Sequence, residues 1–187
     1  MDGCSAGRNW TVIRGNHDQM FADFMDPIPR IEMRLPLGLD WLHDRLGGQD
    51  TLRSYGVEIN ETSRYYQIHQ DAQTKVPADH HEFLRSLPLF HQIGQYLFVH
   101  AGIHPERPLD QQKHEDLIWI REPFLSYDKP HPFVVVHGHT AIQQATHYGN
   151  RINLDSGAGY GRGISTLVIE GNETWLLGPN GRNTFKP

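Results

Sequence analysis

The sequence predicts an α/β fold in which buried strands deliver their ends to one side of a layered sheet, and three observations predict it. Short apolar, β-branched runs recur and end alike. Residues 10–13 (WTVI) run into Gly15-Asn16-His17-Asp18, residues 96–99 (YLFV) into His100-Ala101-Gly102, and residues 133–136 (FVVV) into His137-Gly138-His139-Thr140. Helical patterns fall between the first two runs. The length of 187 residues suits one domain and leaves little room for two.

Each run reads as a buried strand followed at once by a polar, glycine-containing turn. Loops at one end of such strands converge, and ligands of layered α/β folds collect there. Between the first two strands, residues 40–46 (DWLHDRL) read as a short amphipathic helix that ends at Gly47-Gly48, which suits a C-cap. Asp79 reads as the cap of a second helix, with Glu82 three residues on and Phe83, Leu84 and Leu87 at helical spacing. A mainly helical insertion over about residues 20–94 is expected to shape access to the strand ends. The proline-rich stretches 105–112 and 123–132 read as loops. Residues 164–169 and 174–177 read as strands joined by a Gly171-Asn172 hairpin. The glycine-rich stretch 157–163 precedes a strand, whereas a dinucleotide-binding loop must open a helix.

Composition excludes several classes. The net charge is −5, from 17 basic and 22 acidic residues, and neither sign gathers into a stripe that would follow a nucleic acid. No apolar run reaches the roughly 18 residues of a membrane span, and the first residues lack a signal pattern, so the expected location is the cytoplasm. The one cysteine, Cys4, cannot close an internal disulfide and lacks a reactive setting. No G-x-S-x-G elbow marks a serine hydrolase. The 13 histidines stand out and favour imidazole, amide and carboxylate ligands for Mn, Fe or Zn over thiolate zinc chemistry.

The candidate residues cluster at the strand ends. Asn16 and His17 are adjacent, so one can bind a metal while the other faces a substrate; His100 offers a second imidazole. In extended geometry His137 and His139 would point the same way, leaving either or both as ligands. Arg121, after Leu117-Ile118-Trp119-Ile120, carries the guanidinium fork that a phosphate beside a metal requires. The nine other histidines read as solvated.

Taken together, RGNHD, HAG, WIRE and HGHT resemble the metallo-dependent phosphoprotein phosphatase family, most closely its bacterial serine/threonine phosphatases and related bis(5′-nucleosyl)-tetraphosphatases. Residues 41–42, 47–48, 51–56 and 153–158 (NLDSGA) resemble further segments of that branch. The resemblance implies a calcineurin-like metallophosphoesterase fold, a β-sandwich flanked by helices. It implies Asn16, His100 and His139 as ligands of one metal, His17 as the general acid and Arg121 as the phosphate clamp, with no ligand role for His137. It implies a divalent metal, Mn first with Fe or Zn as alternatives, and hydrolysis of a phosphoprotein or dinucleotide substrate by a metal-activated hydroxide.

The family also carries GDxHG and GDxxDRG, and neither occurs here. Those motifs supply the rest of the first metal site and the aspartate bridging two ions, which repel strongly at roughly 3.5–4 Å without an anion between them. The chain therefore reads as the C-terminal portion of one metallophosphoesterase domain, incomplete at its N-terminus and holding at most one ion. It is expected to be inactive alone. The alternative is a catalytically incompetent remnant that serves as a metal-binding or protein-binding module.

Overall fold

The computed structural model describes residues 7–187, so Cys4 lies outside it. The chain divides into two compact units. Within the described residues, the first comprises residues 7–10 and Asn16–Leu87; the second comprises Thr11–Gly15 and Pro88–Pro187. No helix among the described residues is long and apolar enough to cross a membrane.

The first unit is helical. Helices α1 (Asn16–Phe24), α2 (Gly48–Ser54), α3 (Tyr65–Lys75) and α4 (Ala78–Ser86) enclose a small aromatic core. Met20, Phe21 and Phe24 lie three and four residues apart on α1 and are buried. Phe21 stacks on Trp41 with ring centres 5.0 Å apart, and Phe24 meets Trp41, Tyr65 and His69. Pro27, which lacks an N–H, follows closely after α1. The last turn of α1 is secured from α4: His81 Nε2 and Arg85 Nη2 each lie 3.0 Å from Ala22 O, and Arg85 pairs with Asp23 and Asp26. Arg30 pairs with the same two carboxylates.

The expected helix over residues 40–46 is only a 3₁₀ turn, Asp44–Leu46. Asp40 turns back to accept from Leu42 N–H at 2.9 Å, and so bends the chain where a helix would start. Gly47 takes the left-handed conformation (φ 71°) expected of a C-cap, and α2 starts directly after it. In α4 the cap is Pro77, without a side-chain bond, and Asp79 stands inside the first turn. Its charge there acts on the helix dipole and not as a cap.

Burial works to raise the Asp26 carboxyl, but Arg85 and then Arg30 outweigh it and hold Asp26 below the usual carboxylate range. A lowered folded-state value means stability that is present above the unfolded value and is lost as pH falls through the folded one. Asp26→Asn is thus expected to cost about 1 kcal/mol at pH 7, with the gap from wild type closing below about pH 4. Urea midpoints measured from pH 7 to pH 3 check this, and a gap constant with pH would contradict it.

The second unit is a two-sheet sandwich. The larger sheet is built from β1 (Phe90–Ile93), β2 (Tyr96–Val99), β3 (Val134–His137), β4 (Thr146–His147) and β5 (Arg151–Asn153), in the order β1-β2-β3-β5-β4. Strands β2, β3 and β5 run parallel, with Phe98 opposite Val136 and His137 opposite Asn153. A parallel pair needs a crossover, and residues 100–133, containing α5 (His114–Trp119), supply the one between β2 and β3. The smaller sheet is the meander β6 (Leu167–Glu170), β7 (Glu173–Gly178) and β8 (Gly181–Thr184), with the expected Gly171-Asn172 turn between its first two strands.

Alternation along the strands builds both sides of this sandwich. Tyr96, Val136 and Ile152, with Phe98 and Val134, pack against Leu167, Ile169 and Phe185 of the smaller-sheet region. Leu97, Val99 and Val135 pack the other way, against Leu117, Ile118, Ile120 and Phe124. Burying each of Leu97, Val135 and Ile152 contributes about 1.5–3 kcal/mol. Gly102 (φ 154°) lies so close to Phe124 that a Cβ would meet its ring at 2.2 Å, which makes glycine obligatory there.

Residues 10–13 depart from expectation, because they form no strand. Trp10 is 56% exposed and Val12 42%, and no strand among the described residues pairs with them. Arg14 N–H reaches Pro88 O at 2.8 Å, anchoring the end of the segment to the second unit. An apolar run becomes a strand only where neighbours take up its N–H and C=O groups. The GNHD segment also differs from the expected turn, since Asn16, His17 and Asp18 open α1 directly.

Candidate active site

Three parallel strands bring their C-terminal ends together in the second unit. His100 follows β2, Gly138 and His139 follow β3, and Leu154 and Asp155 follow β5. Backbone bonds continue the sheet into these ends: Gly138 N–H donates to His100 O and Leu154 N–H to His137 O, both at 2.9 Å. The cleft they border has a volume of about 400 Å³, with His100, His137, His139 and Asp155 among a mainly apolar lining that includes Ile13, Phe98, Val136 and Leu154.

The His100 and His139 rings meet edge to face with centres 5.1 Å apart, and His139 also faces the Trp119 ring at 5.8 Å. His139 has φ 66°, the left-handed region that costs a non-glycine residue about 1–3 kcal/mol. The surroundings over-determine it. Thr140 N–H donates to Gly138 O at 2.7 Å, and buried Asn153 donates from Nδ2 to Thr140 O at 2.9 Å. The same Asn153 accepts Asp155 N–H on Oδ1, so one amide shapes both turns.

That backbone twist interrupts the extended geometry of HGHT, although both histidines still border the same cleft. His137 is buried, edge-on to Phe124 at 4.9 Å, and Arg151 Nη1 lies 3.2 Å from its Nε2. Burial, and then the Arg151 charge, push the His137 imidazole down to about 3, so the ring is neutral. Its Nε2 accepts from Arg151, and its Nδ1–H donates to Gly138 O at 3.2 Å. Both nitrogens are engaged by protein. The two histidines therefore serve different neighbours.

Arg121 follows Trp119 by two residues and is exposed. Its carbonyl accepts Leu125 N–H at 2.8 Å. Asn16 and His17 belong to the first unit, where Asn16 is buried and His17 exposed in the first turn of α1.

A sequence model of the calcineurin-like phosphoesterase family matches residues 2–168. The chain belongs to this family. No curated protein sequence matches it. Among solved structures, it is similar to a candidate diadenosine tetraphosphatase, with 19% identity and a TM-score of 0.53 over 98% of this chain and 71% of that one. It is also similar to a single-substitution variant of a cold-active protein tyrosine phosphatase, at 19% identity and TM-score 0.55, covering 98% of this chain and 61% of that one. A cold-active protein tyrosine phosphatase from a psychrophilic Shewanella species aligns at 16% identity and TM-score 0.53, covering 98% of this chain and 60% of that one. At these identities the likeness shows a shared fold.

The calcineurin-like phosphoesterase family binds divalent metals, and the residues present fit part of such a centre. Two imidazoles sharing one ion, each with a nitrogen about 2.0–2.1 Å from it, have ring centres roughly 5 Å apart. The His100–His139 spacing satisfies that. No group of three His, Cys, Asp or Glu side chains that could hold an ion occurs among the described residues. The pair thus fits the imidazole portion of such a centre.

The sequence places Asn153 and Asp155 in the NLDSGA segment without marking a role for either, and it does not single out Arg151. The available signal was NLDSG after a short strand, the same strand-then-turn logic that marked the other ends. Several of the nine other histidines are not solvated either. His69 and His81 lie 3.0 Å from backbone carbonyls of Asp26 and Ala22, and His131 stacks on Phe124 and Tyr127. Burial, helped by Arg151, lowers His131, and burial lowers His147.

Proposed function

We propose that this calcineurin-like phosphoesterase is a cytoplasmic, metal-dependent hydrolase of the serine/threonine phosphatase type, acting on a phosphoprotein or a dinucleotide phosphoanhydride. The observation that carries the reading is the His100–His139 pair at adjacent strand ends, in an open cleft beside Trp119. His100 and His139 would hold the ion, Mn first and Fe or Zn as alternatives. Once bound, such an ion supplies Lewis acidity and lowers the pKa of a water molecule. Arg121 holds the equatorial phosphate oxygens with its planar fork, neutralising charge that builds in the transition state. Asn16 as a further ligand and His17 as the proton donor to the departing oxygen enter from the RGNHD motif alone.

A second reading has its own support. The sequence lacks GDxHG and GDxxDRG, and no three-residue ligand group occurs among the described residues, which favours a module that holds at most one ion and turns over little. Hydrolysis of a small aryl phosphate with Mn tests both. The purified 187-residue chain is expected to show little turnover, and a form carrying both motifs ahead of Gly15 is expected to be active. Equal rates would remove the requirement for those motifs; an inactive motif-bearing form would remove the phosphoesterase reading. Parallel assays with a phosphopeptide and a dinucleoside tetraphosphate separate the substrate classes.

A further inference from the structure

We infer that Arg151 is a positioning residue that holds the phosphate-clamp loop and the metal-binding strand end in register. The inference rests on the phosphoesterase reading for the roles of Arg121 and His139, and on the following geometry for the link between them.

Arg151 opens β5, pairs in register with Val135 of β3 and is only 7% exposed. Its two terminal nitrogens reach in different directions. Nη2 donates to Leu125 O at 2.9 Å, and Leu125 N–H donates to Arg121 O at 2.8 Å, so the guanidinium lies one residue away from the backbone of the clamp. Nη1 lies 3.2 Å from His137 Nε2, and the far nitrogen of that imidazole lies 3.2 Å from Gly138 O, immediately before His139. The Tyr148 ring, 3.7 Å from the guanidinium carbon, and the Phe124 ring, at 5.8 Å, fix the plane of the fork.

Tyr148 hydrogen-bonds this buried cation and the Glu122 charge acts on it through space, but no carboxylate among the described residues bonds to it directly. A cation that served only packing would be replaceable by an apolar side chain at little cost or with gain. Arg151 instead satisfies two acceptors on separate segments, 26 and 14 residues away in sequence. Lysine cannot copy this, because an ammonium lacks the rigid planar fork that faces two acceptors at once.

The test compares wild type, Arg151→Met, Arg151→Lys and Val135→Ala. Val135 is fully buried beside Arg151 in the core cluster with Leu97 and Phe124 and carries no polar group, so its variant reports on lost packing. Calorimetric titrations with MnCl2, and then with inorganic phosphate on the Mn-loaded chain, give the affinities; near-ultraviolet circular dichroism confirms folding. Arg151→Met is expected to weaken both ligands by about tenfold or more, within the range of about 10- to 100-fold for partners that orient a metal ligand. Arg151→Lys should fall between it and wild type, and Val135→Ala should lose thermal stability with both affinities within about twofold of wild type. Wild-type affinities in a folded Arg151→Met chain would overturn the inference. If that variant does not fold, unchanged affinities in Arg151→Lys would overturn it, and so would equal losses in Val135→Ala. A wild-type chain that binds neither Mn nor phosphate overturns this inference, whereas the phosphoesterase reading falls only with an inactive motif-bearing form, so the two failures are distinguishable.

Discussion

In a form of this phosphoesterase that carries the GDxHG and GDxxDRG motifs and turns over a phosphate ester, His17→Asn is expected to lower turnover by about 10² to 10⁴, the usual worth of general-acid help. Metal content should hardly change. The size of the loss depends on the substrate. An aryl phosphate departs as a comparatively stable anion and gains little from protonation, whereas an alkyl phosphate departs as a strong base and gains much. The loss should therefore be greater for the alkyl ester. Rate constants for both esters, with metal content measured on the same samples, decide the matter. Equal losses would assign His17 to holding structure or metal. The exposure of His17 in the first turn of α1 leaves its ring accessible to solvent, as a proton donor requires.

The second large effect separates the two histidines of HGHT. His139→Ala is expected to weaken Mn binding by more than about 100-fold, beyond the roughly 10- to 100-fold that losing an outer partner costs. His137→Ala should stay within that outer range, because its nitrogens already serve Arg151 and Gly138. The backbone at His139 complicates alanine, which is poorly suited to φ 66°. His139→Asn tolerates that conformation better and still removes the imidazole, so it should reproduce the loss. A greater loss at His137 than at His139 would falsify the ligand assignment at this strand end.

The parts of the fold visible in the sequence were those that local chemistry determines. The β2 and β3 runs are apolar and β-branched enough to be buried whichever neighbours they have, and Gly171-Asn172 sets a hairpin without outside help. Residues 10–13 carry the same local pattern and form no strand, since pairing depends on neighbours that a pattern cannot reveal. Helix α3 escaped notice because only Ile68 and Ala72 of YYQIHQDAQTK are buried, too few to draw a stripe.

For the site, His100 and His139 were legible as residues at strand ends, and the structure brings those two rings together. What sequence could not show is the left-handed turn at His139, which depends on Asn153 and Thr140 holding the backbone. Nor could it show Arg151 as buried, because an arginine in GNRINLD looks like any surface cation until Tyr148, Phe124 and Leu125 surround it. Arg121 stood out by its apolar approach, and it is exposed as a clamp needs to be.

The parallel pairing of β2 with β3 also has a kinetic side. His100 and His139 become neighbours only after the intervening crossover has closed and the two strands have found their register, a non-local step whose entropy cost comes before its contacts repay it. An unfolded chain offers a metal two distant, independently moving imidazoles. A metal held by both imidazoles would therefore select the finished sheet over the unfolded ensemble, contributing about 2.7 kcal/mol when its free concentration is about 100 times its dissociation constant. An ion that equips the cleft for chemistry would then also be a ligand of the folded state, and the stability of the sheet would rise with the free metal concentration.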